Sequence, residues 1–183
     1  NGTVDNVTIR YHDGSNDNAF TINAANSWII KNSSFLHNQY GMLQGSNVLY
    51  FQIHNNNFTN NSVRGIHLNS NNDYYHIYDN SFDDNVVAID FQDTAADFNT
   101  VYRNNFLNTT GLVTGAHIEV TDNDDYFNIT GTGNYYVSYD ESGEGCDDAN
   151  SDNVCDSPYL VGTGGAQDNF PSTVPFPITD TTV

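Results

Sequence analysis

The sharpest chemical signal in the chain is a run of alternating oxygen side chains: Asp148, Asn150, Asp152 and Asp156, with the backbone carbonyl of Val154 between the last two. A hard cation such as Ca²⁺ takes six to eight oxygen ligands, and loop positions 1, 3, 5, 7 and 9 supply oxygens in the manner of an EF-hand. Asn153 stands where such loops carry Gly and tolerates a left-handed backbone, while Tyr159 stands where a bidentate Glu would close the set. The spacing predicts a calcium site; the competing reading is an acidic surface turn. Cys146 and Cys155 bracket the loop. Two cysteines in a chain of exterior character predict one disulfide, and no nearby His completes a zinc-type set.

Six histidines, His12, His37, His54, His67, His76 and His117, would suggest copper only if they converged. Two acid–base pairs, Asp79 with Arg103 and His67 with Asp90, fall at matching places one repeat apart. Glycan-cleaving sites need a carboxylate pair or an acid–base pair on one face. An inter-coil salt bridge accounts for the first pair and a surface hydrogen bond for the second, so no catalytic residue is assigned. Tyr11, Tyr40, Tyr50, Tyr74, Tyr75, Tyr78 and Tyr102 offer stacking surfaces for a neutral sugar.

The elements that position these groups follow from a four-fold repeat. Ile30-Lys31-Asn32-Ser33-Ser34-Phe35 returns as Ile53 to Phe58, Ile77 to Phe82 and Val101 to Phe106, at steps of 23, 24 and 24 residues. A fixed period of this length means stacked units, each too small to bury its own apolar face. Alternation within Tyr50-Phe51-Gln52-Ile53 and Tyr74-Tyr75-His76-Ile77 has the period of a strand, and no stretch has a helical period. The repeat predicts a stacked solenoid with Phe35, Phe58, Phe82 and Phe106 as an interior ladder. Ile30, Ile53, Ile77 and Val101 lie beside it, and Ser33, Asn56, Asn80 and Asn104 stack at a turn. A polar step later come Asn38, Asn61, Asn85 and Thr109. An earlier coil over Asn6 to Ile22 would set Ile9 at the Ile30 position, and the repeat would stop beyond Gly131.

The 183 residues suit one domain with a real core, and 29 Asn with 20 Asp favour turns over helix interiors. With 23 acids against 4 bases the net charge is −19, which argues against nucleic acid and anionic membranes. No segment approaches the ~18 apolar residues of a membrane span. The chain has neither initiator Met nor signal peptide and opens inside a coil, so it reads as a piece of a longer secreted protein. Sequons at Asn1, Asn6, Asn32, Asn57, Asn60, Asn108 and Asn128 agree with an exterior location.

Repeat and tail together resemble the right-handed β-helix repeat proteins of the NosD-like, carbohydrate-binding-and-hydrolysis class found in archaeal and bacterial surface proteins. The tail carries Gly133-Asn134-Tyr135-Tyr136, then the acidic loop running into Ser157-Pro158-Tyr159, then Asp168-Asn169-Phe170-Pro171. The family ending reads Gly-Asn-Tyr-Trp, an Asp/Gly-rich loop into Thr-Pro-Tyr, and Asp-Asn-Tyr-Pro. Tyr136 replaces its Trp and Asn153 its Gly, and the two cysteines lie outside its pattern. The resemblance implies periplasmic copper delivery for some members and passive modules of surface layers, sheaths or adhesins for many others.

The expectation is an all-β, right-handed parallel β-helix of five to six coils over residues 1–131, with an irregular capping tail over 132–183 in the same domain. It would be a non-catalytic extracellular structural or adhesive module of a cell-surface layer, sheath or filament. The alternatives are a carbohydrate-binding or carbohydrate-active protein of hydrolase or lyase type, and a periplasmic copper accessory protein. Ca²⁺ is the expected cofactor, with no organic cofactor. Self-association, other surface proteins and glycans are the expected partners, with no nucleic acid and no membrane insertion.

Overall fold

The structure, a computed structural model, describes residues 2–10, 18–23, 26–92, 97–108, 117–120 and 124–178. His12, Tyr11, Asn1 and Thr109 lie outside them.

Apolar and polar residues alternate along short strands that cannot bury their inner faces alone, so successive coils stack and share one core. Three parallel sheets result. The first contains Gly2–Asp5, Trp28–Lys31, Gln52–His54, His76–Tyr78 and Thr100–Tyr102. The second contains Thr8–Arg10, Ser34–Leu36, Asn57–Thr59, Ser81–Asp83, Asn105–Phe106 and Tyr135–Tyr136. The third contains Asn18–Ile22, Tyr40–Gln44, Arg64–Leu68, Val87–Phe91 and Ile118–Glu119. Each strand pairs in parallel with its equivalent one coil away, which makes the chain a β-solenoid of about four turns, fewer than the five to six coils expected.

The interior columns run as the repeat predicts. Phe35, Phe58, Phe82 and Phe106 are fully buried, and their rings stack at centroid distances of 4.9, 5.0 and 5.2 Å. Ile30, Ile53, Ile77 and Val101 stand in register beside them. The first coil sits differently from the expectation. Val4, not Ile9, pairs with Ile30, and Ile9 pairs with Phe35. A longer connection between the first two coils offsets the count. The stack also runs past Gly131: Tyr136 pairs with Phe106 and its ring adds a layer at 5.1 Å.

Buried asparagines join the coils at the corners. In the first column the backbone N–H groups of Ser33, Asn56, Asn80 and Asn104 donate to the side-chain oxygens of Asn56, Asn80, Asn104 and Asn134. Each amide nitrogen donates in turn to a carbonyl of the coil below, such as Asn80 Nδ2 to Ile53 O at 2.8 Å. A second column holds Asn38, Asn61 and Asn85. Two further sets of rungs, not foreseen, stand at separate register positions: Val48 N–H donates to Asn72, and Tyr75 N–H donates to Asn99, whose own N–H donates to Asp125. The residue before many of these rungs is left-handed: Asn32, Asn55, Asp79 and Arg103 have φ of 50°, 53°, 52° and 55°. Asn and Asp carry that conformation at the least cost among non-glycine residues, which explains part of their abundance.

The first column ends on a carboxylate. Asp168, fully buried, accepts hydrogen bonds from Asn134 N at 2.7 Å, Asn134 Nδ2 at 3.1 Å and Phe170 N at 3.0 Å. The antiparallel pair Tyr159–Val161 and Ala166–Asp168 brings it there, and the Tyr159 ring lies on Tyr136 at 4.0 Å. Further along, Asn105 exchanges hydrogen bonds with the backbone of Phe176, whose ring lies 5.0 Å from the Arg103 guanidinium.

Candidate functional site

Among the described residues, chemistry-bearing side chains collect in the acidic loop and on the third sheet. In the loop, Cys146 and Cys155 form the disulfide expected from the sequence. Asp148 accepts from the backbone of Asp152 and Asn153, Asn150 from Asp152, Asp152 from Val154, and Asp156 from Ala149. The carboxylates thus fold the loop on its own backbone. Among the described residues no three His, Cys, Asp or Glu side chains are grouped as a metal site.

On the third sheet, parallel register builds an outward column of Leu43, His67, Asp90 and Glu119 on successive coils. Tyr40 pairs with Arg64 beside it. His67 Nδ1 lies 2.5 Å from Asp90 Oδ2, and Nε2 lies 3.1 Å from Gln92 Oε1. Arg64 reaches across the column, with Nε donating to Asp90 at 2.6 Å and Nη2 to Glu119 at 3.1 Å. Burial alone would raise the Asp90 carboxyl, but the His67 hydrogen bond and the Arg64 charge hold it below its ordinary value. The His67–Asp90 pair is therefore not the surface hydrogen bond expected: the two residues are 9% and 5% exposed and belong to a four-residue ionic network.

These side chains line a groove of about 590 Å³. Tyr40 lines it with its ring 5.4 Å from His67, and the buried side chains of Ile118 and Val120 lie beneath it. Gly162 and Thr163 of the tail also line it, Thr163 N–H donating to Val120 O at 3.2 Å. Gly162 has φ 61° and lies so near Val120 that a Cβ would stand 2.6 Å from its carbonyl oxygen, so the turn that delivers Thr163 needs glycine. Sequence reasoning missed Arg64, Gln92, Glu119 and Thr163. Glu119 follows Asp90 by 29 residues instead of a regular step, and Thr163 comes from outside the repeat.

The remaining candidates are dispersed. Arg103 pairs with Asp79 at 2.8 Å, the inter-coil salt bridge expected, and Lys31 pairs with Asp5. Tyr50 and Tyr74 stack with Phe98 as an exposed ridge, Tyr78 and Tyr102 stack with His54, and Tyr75 is buried on Phe51. Only Tyr40 of the described candidate tyrosines enters the groove. Asn6, Asn60 and Asn108 of the sequons are exposed, while Asn32, Asn57 and Asn128 are partly covered.

Copper would need converging imidazole or thioether groups. His37 takes a hydrogen bond from Asn60, and burial lowers His54 within its stack. His117 is buried against Phe106 and Tyr136, which lowers it to about 4. Met42 is fully buried in the core, and both nitrogens of His67 are engaged by Asp90 and Gln92. The described residues do not fit a copper site. No curated protein and no solved structure matches the chain. The family model described as periplasmic copper-binding protein (NosD) matches residues 2–141, carrying the repeat and the start of the tail, and the chain belongs to that family.

Proposed function

We propose that this chain is a non-catalytic structural module working outside the cytoplasm, in a cell-surface layer, sheath or filament. The observation that carries this reading is the use made of the repeated polar residues. Asparagine columns join coil to coil at the corners, and Lys31, Arg64 and Arg103 each pair with an acid on another coil. Among the described residues, the side chains that recur with the period are engaged in holding one coil to the next. The disulfide and the periplasmic description of the family support an oxidising compartment. No helix among the described residues is long and apolar enough to cross a membrane.

Calcium at the Asp148–Asp156 loop belongs to the same proposal and rests on donor spacing. Self-association or docking to other surface proteins is the expected use of the rod. Three measurements on the purified chain test the reading: reducing-end release from a polysaccharide panel, copper titration, and electron microscopy at high concentration. The expected results are no release, no stoichiometric copper, and filaments or lattices. Glycan cleavage that Asp90→Asn abolishes, or one equivalent of tightly held copper, overturns it.

A further inference from the structure

We propose that the aromatic ridge of Tyr50, Tyr74 and Phe98 is a docking surface for an extended, arginine-rich segment of a partner protein. This gives a chemistry to the docking expected of the rod and rests on that reading. The three residues occupy one register position on successive coils, and their rings stack at 5.0 and 5.6 Å. They are 54%, 40% and 48% exposed, so the packing of the chain itself does not cover them. The backbone at this position is left-handed, with φ of 62°, 61° and 60°. Bulky side chains are rare in that conformation. Ser27 fills the same position one coil earlier at φ 61°, and the left-handed corners elsewhere carry mostly Asn and Asp, as at Asn32, Asn55, Asn60 and Asp79. Small polar residues therefore serve the fold at such corners. Strained residues gather at binding sites, so three exposed aromatics in succession point to a partner.

Charge selects the partner. Asp73 and Asp97 immediately precede two of the rings, and Asp73 Oδ1 accepts the Asp97 N–H at 3.0 Å. Asp124 is exposed and stands one coil beyond Phe98, its carbonyl accepting the Phe98 N–H at 3.3 Å. Lys31, Arg64 and Arg103 pair with acids elsewhere, and Arg10 belongs to the second sheet. A second copy of the chain would bring the same carboxylates and another net charge of −19 against this corner, and nucleic acid is repelled likewise. A basic segment is attracted.

Shape narrows the basic partner to arginine. Stacking hides the ring faces between coils and leaves a ridge of ring edges with one open face at each end. The methylene stem of an arginine lies along apolar edges while its head stays in water near a carboxylate. Its planar guanidinium stacks on an aromatic face. Tyr74 covers one face of Phe98, and the other looks toward the coil of Asp124, where a guanidinium would meet ring and carboxylate together. Arg103 is held in that way within the chain, paired with Asp79 and 5.0 Å from the Phe176 ring. An extended segment sends alternate side chains to one side about every 7 Å, so about two arginines span the ridge.

The test is calorimetry and amide-shift mapping by NMR on the full chain in about 0.15 M salt, which screens charges more than about 8 Å apart. The probes are a capped octapeptide of alternating Arg and Gly, its Lys-Gly and Glu-Gly counterparts, and spermine, which carries similar positive charge without side chains. The expected result is Arg-Gly binding with Kd at or below about 1 mM, at least about threefold tighter than Lys-Gly and about tenfold tighter than spermine, with no Glu-Gly binding. The shifts should centre on Tyr50, Tyr74 and Phe98. Tyr74→Ser, which copies Ser27, and Asp124→Asn should each weaken Arg-Gly binding at least about fivefold, whereas Glu141→Gln, which removes an exposed charge from the tail, should not. Should Tyr74→Ser lower the melting temperature, Asp124→Asn supplies the same readout from an exposed side chain. Spermine binding as tight as Arg-Gly, wild-type affinity in both ridge variants, shifts confined to the Asp148–Asp156 loop, or no binding overturns the proposal. So does dimerisation that Tyr74→Ser abolishes, which would give the ridge to a second copy. Electron microscopy of the same samples keeps the two readings apart: wild-type filaments without Arg-Gly binding refute the ridge alone.

Discussion

Replacing Asn80 by Ala tests whether the buried asparagine columns, and not only the aromatic stack, hold the coils together. Asn80 Oδ1 accepts from Asn56 N and Asn56 Nδ2, each at 3.0 Å. Its Nδ2 donates to Ile53 O at 2.8 Å, Tyr78 O at 3.0 Å and Asn104 Oδ1 at 3.0 Å. Some of these groups keep other partners: Asn56 Nδ2 still reaches Ile30 O, and Asn104 Oδ1 still accepts from Asn80 N. The Asn56 N–H loses its acceptor in a fully enclosed corner, and two carbonyls lose a donor. A buried polar group left without a partner costs about 1–3 kcal/mol, so the substitution should cost about 3–6 kcal/mol. A chain of this size has on the order of 10 kcal/mol in total, and the melting temperature should fall by roughly 8–16 °C. Asn80→Asp keeps the acceptor, loses the donor and buries a charge, so it should be no milder at neutral pH. Asn71→Ala is the control: Asn71 is exposed, makes a single 3.3 Å side-chain contact to Asn47 and stands left-handed at φ 58°, so the cost of about 1–2 kcal/mol at that site is that of a left-handed alanine and not of a lost rung. Chemical denaturation measures the cost, and hydrogen exchange locates it at the coils on either side. If Asn80→Ala falls within about 0.5 kcal/mol of Asn71→Ala, the columns contribute little beyond the backbone ladders and the reasoning fails.

Three further expectations concern other parts of the rod. Gln44 is fully buried in the column of Ile22, Leu68 and Phe91, and neither its amide nitrogen nor its oxygen has a partner, so Gln44→Leu should raise stability by about 1–3 kcal/mol in a denaturant titration. Two buried groups near the C-terminal cap titrate in opposition. Burial pushes Asp168 up to about 7, so the native state binds the extra proton between the ordinary carboxylate value and 7, and stability falls as pH rises through that window. Burial pushes His117 down to about 4, so the unfolded state binds the extra proton between 4 and 6.5, and stability rises with pH there. Each effect is on the order of 3–4 kcal/mol and they offset. Asp168→Asn should therefore expose a steep loss of stability below pH 6.5, and an unchanged pH profile would refute the assignment. For the loop, EDTA should lower the melting temperature of the wild type and barely change that of Asp152→Ala, whereas equal effects would remove calcium from this site.

The parts of the fold legible from sequence are those that in-register stacking forces to repeat. A residue inside the solenoid meets its own equivalent above and below, so Phe35, Phe58, Phe82 and Phe106 must be alike, and so must Asn56, Asn80 and Asn104. Where a connection lengthens, the stack continues but the count breaks. That hid the pairing of Val4 with Ile30 and of Tyr136 with Phe106. The groove was hidden for a different reason. An outer column needs only compatible neighbours, so Leu43, His67, Asp90 and Glu119 share a register with no residue type in common. The register did place His67 beside Asp90. It could not show that Arg64 bridges two acids, because that contact links residues 26 and 55 positions apart.

The asparagine column has a consequence for how such a rod changes length. Each rung takes from one neighbour the same donors and acceptors that it presents to the other, so a coil copied or deleted as a unit leaves its neighbours with unchanged needs. Only the last position is different. It must accept from the rung below and, among the described residues, has nothing above to donate to; above pH 7 the ionised Asp168 carboxylate meets that condition, where an amide would leave an idle N–H. The number of coils is thus free to drift by whole repeats of about 24 residues, while the terminal acceptor has to stay last.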